Sequence, residues 1–259
     1  MKKVWLTSLV SSEDMVKKLM AQMKTYGLEL HGHFWEDDLK KMAWMKAREE
    51  LVNPQIIFWA ILGSEENLRT PSIRYGLSLL SITLQAQRGL DFPIVILQTE
   101  GEPVASDSLT TSLKGVEILS ASSATLGAKL VARAHASVKE EMSSEYRLDL
   151  YGNEHVGQWF EVGPTEVSWS GGMFAVADAE IAFHGVGPKG SLPSKSVLNY
   201  PVEGLKLNLG EKEYTAWAVQ NELNAETSYF VKVTGSPESI LFGPYSSEED
   251  TEVFVVKLK

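Results

Sequence analysis

Gln55-Ile56-Ile57-Phe58-Trp59-Ala60-Ile61-Leu62 (QIIFWAIL) is an unbroken apolar run closed by Asn53-Pro54 before it and by Gly63-Ser64 after it. A run this short and this apolar reads as a strand buried on both faces. Such strands occupy the middle of parallel sheets covered by helices on both sides. The neighbouring segments carry the matching periods. Val4-Trp5-Leu6, ending in Thr7-Ser8, reads as a first strand. Ser11-Ser12-Glu13-Asp14 offers an N-cap and first-turn acids, and Val16, Leu19, Met20 and Met23 fall on one helical face up to Gly27. Leu28 to Phe34 reads as a second strand, followed by a helix that Asp37 or Asp38 caps and that places Trp44, Ala47 and Leu51 together.

Gly63 to Asn67 reads as a loop. Thr70-Pro71 then opens a helix with Ile73, Leu77, Leu80 and Leu84 along one side. Pro93 to Leu97 is a fourth strand, and Val116 to Leu119 a short edge strand. A last helix over residues 125–142 has Val131, Ala134, Val138 and Met142 on one face. The alternation specifies an α/β three-layer parallel sheet of flavodoxin-like order 2-1-3-4-5. Ligands collect at the carboxyl ends of the strands in such sheets. Here that rim is 7–12, 33–38, 63–70 and 98–102.

The punctuation changes near residue 143. Six of the ten Pro lie beyond it. Eight or nine short alternating runs follow, near Leu148, Phe160, Phe174, Phe183, Leu207, Trp217, Phe230, Leu241 and Val255. Their spacing predicts an all-β sandwich or barrel, of which the sandwich is the expectation. Charge shifts at the same place. Residues 1–143 carry 16 Lys/Arg against 17 Asp/Glu, and residues 144–259 carry 8 against 17, of a total net charge of −10. We therefore expect two domains: 1–143, α/β, and 144–259, an acidic β-sandwich.

Zero Cys excludes thiolate metal sites, thiol nucleophiles and disulfides. The acidic second half is a poor surface for nucleic acid. No run approaches 18 apolar residues, so no membrane helix is expected. Glu13 and Asp14 arrive too soon for a secretory leader, and a cytoplasmic location is expected.

At the rim, Ser8, Ser11 and Ser12 meet a helix N-terminus, where backbone N–H groups can hold a phosphate. With Asp37 and Asp38 they form the candidate cofactor-binding set, although no motif names a cofactor. The ordinary reading of Ser12 is an N-cap. Glu65 and Glu66 follow the central strand, and a buried acid there could serve as general base. Exposed loop acids are commoner. His31 and His33 lie two apart on one strand face, close to Glu36, a metal-competent pattern. Surface or part-buried His is the ordinary reading, and no metal is expected. Trp159, Trp169 and Trp217 could stack on a sugar or fill the β core. Asp178 and Glu180 near His184 are too thin a cluster for calcium.

The first 98 residues resemble a TIR domain. The likeness lies in the Val4–Ser8 strand, the Ser-Ser-Glu-Asp helix start and the Gly27 turn. It continues in the Asp37-Asp38 loop and the apolar central strand before a Ser-bearing helix start. That resemblance implies a self-association scaffold or, in some members, cleavage of nicotinamide from NAD. The catalytic members place a Glu a few residues beyond a Ser. Ser72 matches the Ser, and Tyr75 or Gly76 stands where the Glu would fall. The leading expectation is a non-catalytic ligand-sensing or protein-interaction module with an appended β-sandwich binding domain. Its partner would be another protein or a second copy, with a nucleotide as candidate ligand. The alternative is an enzyme acting on a nucleotide or nucleotide-sugar, with Glu65 or Glu66 as base. A third reading is a structural subunit of a larger assembly.

Overall fold

The computed structural model describes residues 1–136, 144–245 and 252–259. It separates into two compact units, Met1–Met142 and Ser143–Lys259. The first unit is a five-stranded parallel sheet: β1 (Lys2–Ser8), β2 (Leu28–Phe34), β3 (Ile56–Gly63), β4 (Ile94–Gln98) and β5 (Glu117–Ser120). The spatial order is β2-β1-β3-β4-β5. Its helices are α1 (Glu13–Thr25), α2 (Arg48–Val52), α3 (Glu65–Arg69), α4 (Pro71–Arg88) and α5 (Leu126–His135). The flavodoxin-like architecture follows from β3 having no polar face. Phe58, Ala60 and Leu62 pack in one core with Leu19 and Met23 of α1 and Leu126 and Leu130 of α5. Trp59 and Ile61, one residue out of phase, point to the opposite face and are 0% exposed. The Trp59 indole N–H donates to Thr7 Oγ1 at 2.8 Å, a buried bond that satisfies both polar groups and joins β3 to β1.

Two local expectations change. A single helix from Asp37 or Asp38 is replaced by a 3-10 turn at Ala43–Ala47 leading into α2. Met42 takes a left-handed conformation (φ 49°) just before it. Gly63 to Asn67, expected as a loop, contains the start of α3. Ser64 caps it by accepting from the Asn67 amide, and Asn67 Oδ1 accepts from the Ser64 amide in return. Val138 and Met142, expected on the last helix, lie outside the described residues.

The second unit is a sandwich of antiparallel sheets. Its strands are β6 (Tyr146–Asn153), β7 (Gly157–Pro164), β8 (Gly172–Ala177), β9 (Glu180–Pro188), β10 (Val202–Leu209), β11 (Lys212–Val219), β12 (Thr227–Thr234), β13 (Ser239–Pro244) and β14 (Phe254–Lys257). One sheet runs β10-β11-β8-β13-β14 and the other β6-β7-β12-β9. Phe160, Phe174 and Phe242 stack through the inner core. One buried polar cluster is paired. Buried His184 meets the Tyr229 hydroxyl through Nδ1 at 2.6 Å, and its Nε2 lies 3.5 Å from Glu203.

Arg88, at the end of α4, bonds three carbonyls: Leu51 (3.2 Å), Asn53 (2.8 Å) and Ile56 (3.0 Å). Its guanidinium also lies 4.4 Å from the centre of the Phe92 ring. One planar fork thus ties the end of α2 to the start of β3, a geometry Lys cannot copy. Arg88→Ala is expected to lower stability by about 2 kcal/mol. Arg88→Lys should recover less than half of that loss, measured by urea denaturation.

Candidate functional site

At the carboxyl rim, the start of α1 and the segment after β5 face one another across the end of β3. Between them lies a cleft of about 310 Å³. Its polar lining is Ser12, Asp14, Lys18 and Gln22, and its apolar lining Met15, Leu19, Leu62 and Ala121. Asp14, Lys18 and Gln22 share a face because helical residues four apart stack one above another. Leu62 comes from the carboxyl end of β3, so the sheet itself supplies the floor.

The other rim side chains hold the rim together. Ser8 is buried, and its hydroxyl donates to the Val10 carbonyl at 2.7 Å. Ser12 accepts from the Met15 amide at 3.3 Å and so caps α1, while Ser11 is exposed. Asp37 accepts from the Ser72 hydroxyl at 2.6 Å. Asp38 accepts from the Lys41 amide at 3.0 Å, and that bond holds its carboxyl below the usual range. Glu65 makes two links: Oε1 to Arg69 at 2.9 Å, and Oε2 to the Glu102 amide at 2.7 Å. Gly101 sits under this bridge with φ 89°, and a Cβ there would lie 2.5 Å from the Glu65 Cβ. Only glycine satisfies both the left-handed backbone and the close approach. Glu66 is exposed, and its carbonyl accepts from Thr70 Oγ1.

Of the site residues expected from the sequence, the structure brings only Ser12 into the cleft. Ser8 lines a second groove of about 340 Å³ between α1 and β2. Asp37 and Asp38 belong to the loop after β2, and Glu65 bridges to the loop after β4. Asp14 was legible only as a first-turn acid, although its four-residue spacing to Lys18 and then Gln22 marks a shared face. Leu62 and Ala121 come from distant segments, and no local pattern announces their meeting.

The two strand His take different partners. His31 Nε2 lies 3.1 Å from Glu29 Oε1, and His33 Nδ1 accepts from the Trp5 indole at 3.2 Å. Among the described residues, no group of three or more His, Cys, Asp or Glu is placed to hold a metal ion. No described helix is long and apolar enough to cross a membrane. The TIR-type Glu position is filled otherwise. Tyr75 is buried, and the Trp35 ring lies 2.6 Å from where a Gly76 Cβ would stand. In the second unit, Trp169 is buried, Trp217 sets its edge to His184, and Trp159 meets Phe183 at 5.9 Å.

No family model and no curated protein matches the chain. Among solved structures, the crystal structure of a two-domain esterase active on acetylated mannans aligns with 98% of this chain and 90% of its own. The identity is 7% and the TM-score 0.31. An overlap that loose carries no inference about activity.

Two outcomes follow. Glu65→Ala is expected to cost about 1–2 kcal/mol of stability, read by thermal or urea melting, because the Glu102 amide loses its acceptor. Burial pushes the His33 imidazole below its ordinary 6.5. The unfolded chain therefore takes up that proton first as pH falls. The stability that neutral His33 contributes is complete above about pH 6.5 and declines as pH drops through and below that value. His33→Gln should flatten this part of the stability–pH curve.

Proposed function

We propose that this chain is a non-catalytic ligand-sensing or protein-interaction module, in which the rim cleft of the α/β unit receives a small ligand and the β-sandwich serves as a binding domain. The single observation behind this reading is the engagement of Glu65. A general base must point at the proton it abstracts. Both Glu65 oxygens are instead occupied, by Arg69 and by the Glu102 amide, and they keep the rim loops in place. The rim cleft presents charged and apolar side chains suited to holding a molecule. TIR-like scaffolding through self-association is compatible with the same role.

Incubation with NAD, FMN, ATP and nucleotide-sugars, followed by chromatography, is expected to return every compound unchanged. A thermal-shift screen of small polar metabolites is expected to find at least one stabilising compound that Glu65→Gln still binds. Turnover of any compound that disappears in Glu65→Gln would contradict the proposal and restore the base.

A further inference from the structure

We infer that the rim cleft takes a small zwitterion with an apolar tail, which in chemical class is a free α-amino acid with an aliphatic side chain. The inference deepens the reading of this cleft as a binding site and rests on it.

Helix α1 carries two acid–base pairs of identical spacing, one residue apart. Glu13 and Lys17 face away from the cleft and close on one another at 2.7 Å. Asp14 and Lys18 face into the cleft, and among the described residues neither closes an ion pair. The cleft therefore offers one carboxylate and one ammonium side by side on a single helical face. A lone anion in it would be drawn by Lys18 and repelled by Asp14, and a lone cation the reverse. A molecule carrying both charges on adjacent carbons satisfies both groups at once, its ammonium on Asp14 and its carboxylate on Lys18.

Exposed ion pairs contribute little alone, so charge is not sufficient. The apolar lining of the cleft supplies the remainder. Met15, Leu19, Leu62 and Ala121 form an apolar surface, of which Leu19 and Leu62 are already part of the core. An aliphatic side chain laid on them leaves water while its backbone charges stay at the mouth. The Ser12 hydroxyl keeps its own proton to donate, and the Gln22 amide lies one turn beyond Lys18. Size narrows the class further. At about 310 Å³ the cleft lies at the small end of ligand sites. That suits a single amino acid.

L-Leucine and two truncated forms separate the terms. 3-Methylbutylamine is leucine without its carboxylate, and 4-methylpentanoate is leucine without its ammonium. Each is titrated into the ¹⁵N-labelled full chain and followed by amide chemical shifts. Leucine is expected to perturb residues of α1 and Ala121 and to bind at least about tenfold more tightly than either analogue. Asp14→Asn should weaken leucine and 3-methylbutylamine about tenfold and tighten 4-methylpentanoate, from which it lifts a repulsion; Lys18→Gln should do the converse. Both side chains are exposed, so these variants keep the fold, and a thermal melt verifies it.

Equal affinity for all three compounds would overturn the zwitterion and leave a binding cleft. So would leucine that leaves α1 unperturbed while another metabolite binds there. Turnover of a ligand would instead overturn the non-catalytic reading.

Discussion

Everything in the first unit depends on β3 having no face that tolerates water. Trp59 and Phe58 are both 0% exposed although they point in opposite directions. Removing either ring would cost about 3–5 kcal/mol. Both sides must therefore be covered by helices, which requires parallel crossovers and sends each chain reversal to one end of the sheet or the other. The consequence for function is geometric. With both faces sealed, the ends of the strands are where a ligand can reach the sheet, and Leu62 at the end of β3 is the residue that lines the cleft from within.

The rim itself is built from polar side chains that fix loops. Glu65 reaches from α3 to the loop after β4, Ser8 turns back on its own loop, and Asp37 reaches Ser72 at the second residue of α4. Each bond satisfies a donor that an open loop would leave to water, and each occupies a group that chemistry would need free. The same economy holds in the β-sandwich. Arg147 donates to the Pro164, Asn224 and Thr227 carbonyls and to Ser228 Oγ, joining β6 to the turn before β12. Burial holds the His184 imidazole below its ordinary range against the pull of Glu203.

The sheet order and the sandwich were legible because apolar period is a property of contiguous residues. QIIFWAIL can be read without its neighbours, and so can the alternation of Tyr214 to Val219. The segment before β3 was less legible. Its helical face of Trp44, Ala47 and Leu51 is real, but the left-handed turn at Met42 interrupts the helix without a Gly or Pro to announce it. The α3 cap was missed because Asn67 takes the place usually held by Glu or Gln. The site was least legible. Ser12 was read as a phosphate contact, yet Asp14 and Lys18, which face the cleft beside it, gain meaning only when Leu62 and Ala121 arrive opposite them.

The central claim is that the Glu65 carboxylate is a structural acceptor and not a free base. Its most direct test is the hydrogen-exchange rate of the Glu102 amide, whose bond in the structure goes to that carboxylate at 2.7 Å. The account predicts slow exchange at neutral pH in the full chain and a rise to the rate of an open loop amide in Glu65→Ala. Exchange at the open-loop rate in the unmodified protein would contradict it.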